Sequence, residues 1–263
     1  MQCPKRLAER LRNELGYVEG VLDVHAAAAN LGCDVEAGAL LQESGVEAEL
    51  RPHPSADRFL VRVDPTPARG WTGTPDQMKT AVARQRFRFR VCHELGHALH
   101  FDRRRNGEGP ARTTPWRSSE EVWCDEFARA FLVPPTAVKE LAPEAGTVFE
   151  LQRRFDVSLE VATRALVTGH PHCEAALWFW PPDGLPKPEW LIRQWSTADA
   201  EISLRPWLRS NLLAQALEQG EAKGSTAALR HRARERFGSA RCDRRRRQVV
   251  IVTSSSTALP CGA

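Results

Sequence analysis

The sequence predicts an α+β fold. A mainly helical domain with a small sheet is expected over residues 1–170, and a smaller Trp-rich α/β region with an arginine-rich tail over residues 171–263. Three observations predict it. Apolar residues recur at helical spacing through most of the first 168 positions. Alternating segments near Arg58 to Val63 interrupt them with a strand period. After about His172 the composition shifts to tryptophan, proline and arginine. A chain of 263 residues suits one domain of about 150 to 180 residues plus a smaller unit. Hydrophobic content of 42% and charged content of 27% are those of a globular protein. There is no run of eighteen apolar residues, and Met1 to Leu15 is charged with no apolar core. The expectation is a cytoplasmic protein without a membrane span.

Element by element, Pro4 to Leu15 reads as a helix with Leu7, Leu11 and Leu15 four apart. Asp23 caps a second helix over Ala26 to Leu31, which Gly32 stops. A short helix is expected over Val35 to Gln42, then strands over Val46 to Leu50 and Arg58 to Val63. Asp64 to Pro75 reads as an irregular loop. A helix then builds from Asp76, with Phe87, Val91, Leu95 and Leu99 as its core stripe. Asp102 to Pro115 is a loop. Ser118-x-x-Glu121 matches a capping box that opens a helix from Glu120 to Leu132, and the prolines at 134 and 135 end it. Thr136 to Leu141, Thr147 to Phe155 and Leu159 to Thr168 are further helices. The last two have a helix-turn-helix rhythm over residues 147–168. Ala175 to Trp180 and Trp190 to Trp195 read as paired strands, Leu204 to Glu218 as a helix, and Gln248 to Thr253 as β-prone.

The chemistry centres on Val91 to His100, which contains H-E-x-x-H as His93, Glu94 and His97. On a helix, residues four apart share a face, so two imidazoles can bind one Zn²⁺ while Glu94 reaches a water beside it. A chance match on an ordinary helix is expected in roughly two of a hundred chains of this composition. The site needs a third protein ligand. Glu121 and Asp125 lie four apart on the next amphipathic helix, so one can bind metal while the other supports a zinc histidine. Glu121 is the preferred ligand, and Glu120 and Cys124 are its rivals. His100, His170 and His172 are candidate transition-state donors. The seven cysteines contain no C-x-x-C pair and read as reduced thiols.

Two segments carry a resemblance. Arg88-Phe89-Arg90-Val91-Cys92-His93-Glu94-Leu95-Gly96-His97 resembles the R-F-x-x-A-H-E-x-G-H segment of the ImmA/IrrE family of bacterial metallopeptidases. The stretch from Glu121 through Cys124, Asp125, Phe127, Ala128 and Phe131 to Pro134 is similar to that family's E-x-x-[AC]-N-x-F-A-x-x-L-L-x-P. Phe155-x-Val157-Ser158 resembles a third segment. Asp125 stands where asparagine is usual and Cys92 where alanine is usual. The resemblance covers about Leu7 to Leu166. It implies a zincin-like metallopeptidase domain, a zinc endopeptidase with Glu121 as third ligand and Glu94 as general base, and a helix-turn-helix transcriptional repressor as substrate in a stress or mobile-element response. The competing reading is a DNA-binding or protein-interaction regulator on the same scaffold, using residues 147–168 and the arginines at 244–247. Packing is the preferred reading of 147–168, because Phe155, Val157, Leu159 and Leu166 are what a helical pair buries.

Overall fold

The computed structural model describes residues 2–37, 47–53, 58–64, 81–102, 111–112, 118–170, 173–179, 191–196, 215–216, 219, 221–225, 236–243 and 248–255. They form two compact units. The first holds Met1–Pro135 and Arg153–Ser158, and the second holds Thr136–Gln152 and Leu159–Ala263. The helices after Pro135 therefore group largely with the C-terminal strands, and only a six-residue insert returns to the first unit.

In the first unit, helix α1 (Pro4–Glu14) opens with proline at its first position, where the missing N–H is no loss. Its expected leucine stripe is half-buried, and the buried line runs beside it through Ala8 and Arg12. Helix α2 (Val24–Asn30) is capped by Asp23, whose side chain accepts from the backbone N–H groups of His25 and Ala26, both at 3.0 Å. Gly32 leaves the helix at φ 66°, a left-handed conformation suited to glycine.

The helix expected from Val35 is a correction. Strand β1 (Cys33–Ala37) stands there instead. Cys33, Val35 and Ala37 alternate with Asp34 and Glu36, and this period of two wins once a partner strand is present. The partner is β3 (Phe59–Val63), which pairs parallel to β1 and antiparallel to β2 (Ala48–Pro52). The sheet order is β1-β3-β2, so β2 is an edge strand among the described residues. Phe59, Val61 and Val63 are buried, as their alternation predicts.

Helix α3 (Ala81–Ala98) packs on this sheet and on helix α4 (Ser118–Leu132), with Phe87, Val91 and Leu95 inside. Its expected start at Asp76 and most of the loop from Asp64 lie outside the described residues. Two-residue strands β4 (Phe101–Asp102) and β5 (Ala111–Arg112) pair within the segment expected to be loop. The Glu121 carboxylate of the expected capping box faces the histidines of α3, and its Ser118 half lies outside the described side chains.

The second unit takes in most of α5 (Pro135–Lys139) and α6 (Ala145–Phe155) and all of α7 (Leu159–Gly169). A Cβ on Gly169 would stand 2.7 Å from Val138 Cγ1, so only glycine lets the end of α7 close on α5. The strands form one antiparallel sheet in the order β7-β6-β10-β9-β8. They are β6 (Cys173–Phe179), β7 (Leu191–Ser196), β8 (Glu221–Ser225), β9 (Arg236–Asp243) and β10 (Gln248–Ser255). The β6–β7 pair and β10 were expected, whereas β8 and β9 were not. The helix expected over Leu204 to Glu218 and the arginines at 244–247 lie almost wholly outside the described residues.

Candidate metal centre

The centre is built where α3 and α4 cross. His93 and His97 are one turn apart on α3, and Glu120, Glu121 and Asp125 come from the first two turns of α4. Gly96 lets the helices meet closely, since a Cβ there would lie 3.1 Å from the Cβ and Sγ of Cys124 and 3.2 Å from its Cα.

Both imidazoles are oriented from behind. His93 Nδ1 lies 3.0 Å from Asp125 Oδ1, and His97 Nδ1 lies 2.8 Å from Glu120 Oε1. An ionised carboxylate only accepts, so each Nδ1 donates and each Nε2 keeps a lone pair. Those two Nε2 atoms are 3.2 Å apart. Glu121 completes the group, with Oε2 3.2 Å from His93 Nε2 and Oε1 3.3 Å from His97 Nε2. Two lone pairs and a carboxylate so close repel one another unless a cation stands among them. A tetrahedral ion with bonds of about 2.0–2.1 Å needs its ligand atoms about 3.3 Å apart. The donor set therefore fits a divalent metal.

The rivals for third ligand are placed differently. Glu120 is almost fully buried and holds the far nitrogen of His97. Cys124 lies within 4.8 Å of His97 and Glu120, yet it is fully buried against the Gly96 backbone. Burial and the surrounding carboxylates raise its thiol pKa well above the ordinary value.

Glu94 is buried beside the two histidines. Burial raises its pKa above the usual carboxylate range, Glu121 and Glu49 add to the effect, and His97 and His93 oppose it. For His93, burial disfavours the charged ring, but the Asp125 hydrogen bond and the charges of Glu94, Asp125 and Glu121 outweigh it and raise the pKa. Of the other histidines singled out by sequence, His100 is buried edge-on against Trp123, with ring centroids 4.9 Å apart. His170 sits in the second unit, its Nε2 3.2 Å from the Val138 carbonyl oxygen. His172 lies outside the described residues.

Sequence reasoning missed the anchoring of α3. The buried Arg88 donates to the carbonyl oxygens of Phe155 and Asp156 (2.8 and 2.5 Å) and of Leu22 (3.1 Å). Arg84 makes a two-pronged contact with the Asp156 carboxylate at 2.5 and 2.8 Å, and Gln85 adds a third hydrogen bond at 3.2 Å. Asp156 has φ 47°, so the turn between α6 and α7 is a left-handed position held by α3. The signal was the spacing of Arg84 and Arg88, which puts two cations on one face.

Two carboxylate-backed histidines and a third carboxylate on a crossing helix together form a group that could hold a metal ion. Residues 79–167 match the model of a peptidase family described as the IrrE N-terminal-like domain. That stretch is thus similar to an IrrE N-terminal-like domain, as the resemblance drawn from the two signatures expects. A solved Mycobacterium tuberculosis transcriptional regulator is similar in fold, with a TM-score of 0.55 at 17% identity over 100% of this chain and 93% of that one. No curated protein matches the sequence. Among the described residues, no helix is long and apolar enough to cross a membrane.

Proposed function

We propose that the chain is a zinc-dependent endopeptidase acting in the cytoplasm, with a helix-turn-helix transcriptional repressor as its substrate. The observation that carries the reading is the convergence of His93 Nε2, His97 Nε2 and the Glu121 carboxylate within 3.3 Å of one another. Imidazole and carboxylate ligands suit zinc, and three protein ligands leave a coordination position open. When bound, the ion supplies a Lewis acid that lowers the pKa of a water and polarises a peptide carbonyl. Glu94 takes the proton from the attacking water and delivers it to the leaving amine. Asp125 and Glu120 keep the two rings in the tautomer that presents Nε2.

Strand β2 offers a place for the substrate backbone. It is the edge of its sheet among the described residues. Arg90, one turn before Glu94 on the same face of α3, pairs with Glu47 and donates to the Asp64 carbonyl oxygen at 3.1 Å, which ties the end of the β2–β3 pair where Glu47 meets Asp64 to the helix. We infer that an extended peptide added to that edge would lie near Glu94, whose carboxyl feels the charge of Glu49 on β2.

The test combines metal analysis with cleavage of a purified helix-turn-helix repressor. Glu94→Gln is expected to keep its zinc and lose cleavage, and full cleavage by that variant would sink the mechanism. Glu121→Ala is expected to lose most of its metal, and unchanged zinc content would move the third ligand elsewhere. The second reading, a DNA-binding regulator, draws on the name of the similar solved structure. Salt-dependent DNA binding that disappears when Arg244 to Arg247 are removed would favour it.

A further inference from the structure

The two carboxylates behind the histidines are not equivalent. Asp125 is 39% exposed, stands 3.0 Å from His93, and shares its other oxygen with Arg129 Nη1 at 3.4 Å. Water dilutes its charge. Glu120 is 2% exposed and stands 2.8 Å from His97. In a dry environment the same hydrogen bond to a charged group is stronger, and it transmits more electron density to the opposite ring nitrogen. Glu120 also precedes Glu121 directly in the first turn of α4. One turn of backbone thus places a carboxylate on each side of His97, at Nδ1 through Glu120 and at Nε2 through Glu121.

We propose that Glu120 is the positioning residue that governs metal retention, ahead of Asp125, by fixing His97 as the anchor ligand. This rests on the metal-centre reading above. Glu120 is no ligand itself, because it lies on the nitrogen of His97 that faces away from His93 and Glu121.

The test uses the full chain, stripped of metal and titrated with Zn²⁺ against a coloured chelator. Unfolding of the metal-free proteins in urea is measured separately. Glu120→Gln, nearly isosteric but uncharged, is expected to weaken Zn²⁺ binding about 100-fold, and Asp125→Asn about 10-fold. Loading with Co²⁺ gives a readout that a purely structural role would not move: the visible absorption bands of Glu120→Gln are expected to shift. An equal or larger loss in Asp125→Asn, or wild-type affinity in Glu120→Gln, overturns the proposal. If Glu120→Gln fails to fold when stripped, Glu120→Asp keeps the charge but withdraws it by one methylene. Weakened binding in that variant supports the proposal, and wild-type affinity in it overturns it. Failure of the unaltered chain to bind Zn²⁺ overturns the metal-centre reading itself.

Discussion

Arg12 and Arg88 are buried cations whose described partners are mostly backbone oxygens. Arg12 donates to the Tyr17 and Phe131 carbonyl oxygens at 2.8 Å, to Gly20 at 3.0 Å and to Leu132 at 3.4 Å. Phe131 and Leu132 end α4, where helical carbonyls have no partner of their own, so the guanidinium satisfies them. Burial lowers Arg12 to about 10, which leaves it charged near neutrality. Cys92 lies in the field of both arginines, yet burial pushes its thiol up to about 12 and keeps it unreactive. At Gly96 the tolerance is steric. Gly96→Ala is expected to cost about 1–3 kcal/mol in urea unfolding, because the new methyl meets the Cys124 side chain and backbone. Cys124→Ala in the same chain should recover part of that loss by removing Sγ, and no recovery would place the strain elsewhere.

Between elements, the strongest local tie joins α3 to the Phe155–Asp156 turn. Burial raises the Asp156 pKa, but hydrogen bonds from Arg84 and Gln85 and the charges of Arg84 and Arg88 more than compensate, so its net pKa falls below the ordinary 3.8. A carboxylate with a depressed folded pKa contributes stability that is present above its unfolded value and is lost as pH falls through the folded one. Urea stability should therefore fall with acid below about pH 4, and the fall should be shallower in Asp156→Asn, which tolerates the positive φ. An unchanged slope in that variant would assign the acid lability to other carboxylates. Removing the donor with Arg88→Met should cost on the order of 3 kcal/mol, since buried carbonyls lose their partner.

The same elements show what the sequence made legible. The periodicities of α3, α4 and β3 were strong enough to read, and helical spacing brought His93, His97, Glu121 and Asp125 to one place. Strand β1 was read as a helix because its partner β3 is some 25 residues away, and pairing at that range leaves no local mark. Strand β9 was masked by its arginines, which suggest a solvated run more than a ladder. The role of Glu120 was hidden because one position along a helix turns a side chain by about 100°, and only the fold decides which nitrogen it meets.

Across the whole molecule, metal occupancy is expected to protect only part of the chain. Ligand binding stabilises the folded state by about 2.7 kcal/mol at a hundredfold excess over Kd. Its contacts lie in α3 and α4 of the first unit. Hydrogen exchange with and without added Zn²⁺ should slow at amides of α3 and α4 and stay unchanged in β6, β9 and β10. Uniform slowing throughout would mean that the two units open together. The family match, over residues 79–167, crosses from one unit into the other, so the region recognisable by descent is not one compact body.

The returning insert at Arg153–Ser158 sets an order of events during synthesis. Arg84, Gln85 and Arg88 leave the ribosome some seventy residues before Asp156 does. A nascent chain that has reached only Pro135 holds the histidines and glutamates of the centre, but the buried Arg88 has only the Leu22 carbonyl oxygen and still lacks those of Phe155 and Asp156, and Arg84 still lacks the Asp156 carboxylate. The metal centre is thus complete in sequence before it is complete in structure, and the last piece of its support arrives only after translation has passed into the second unit.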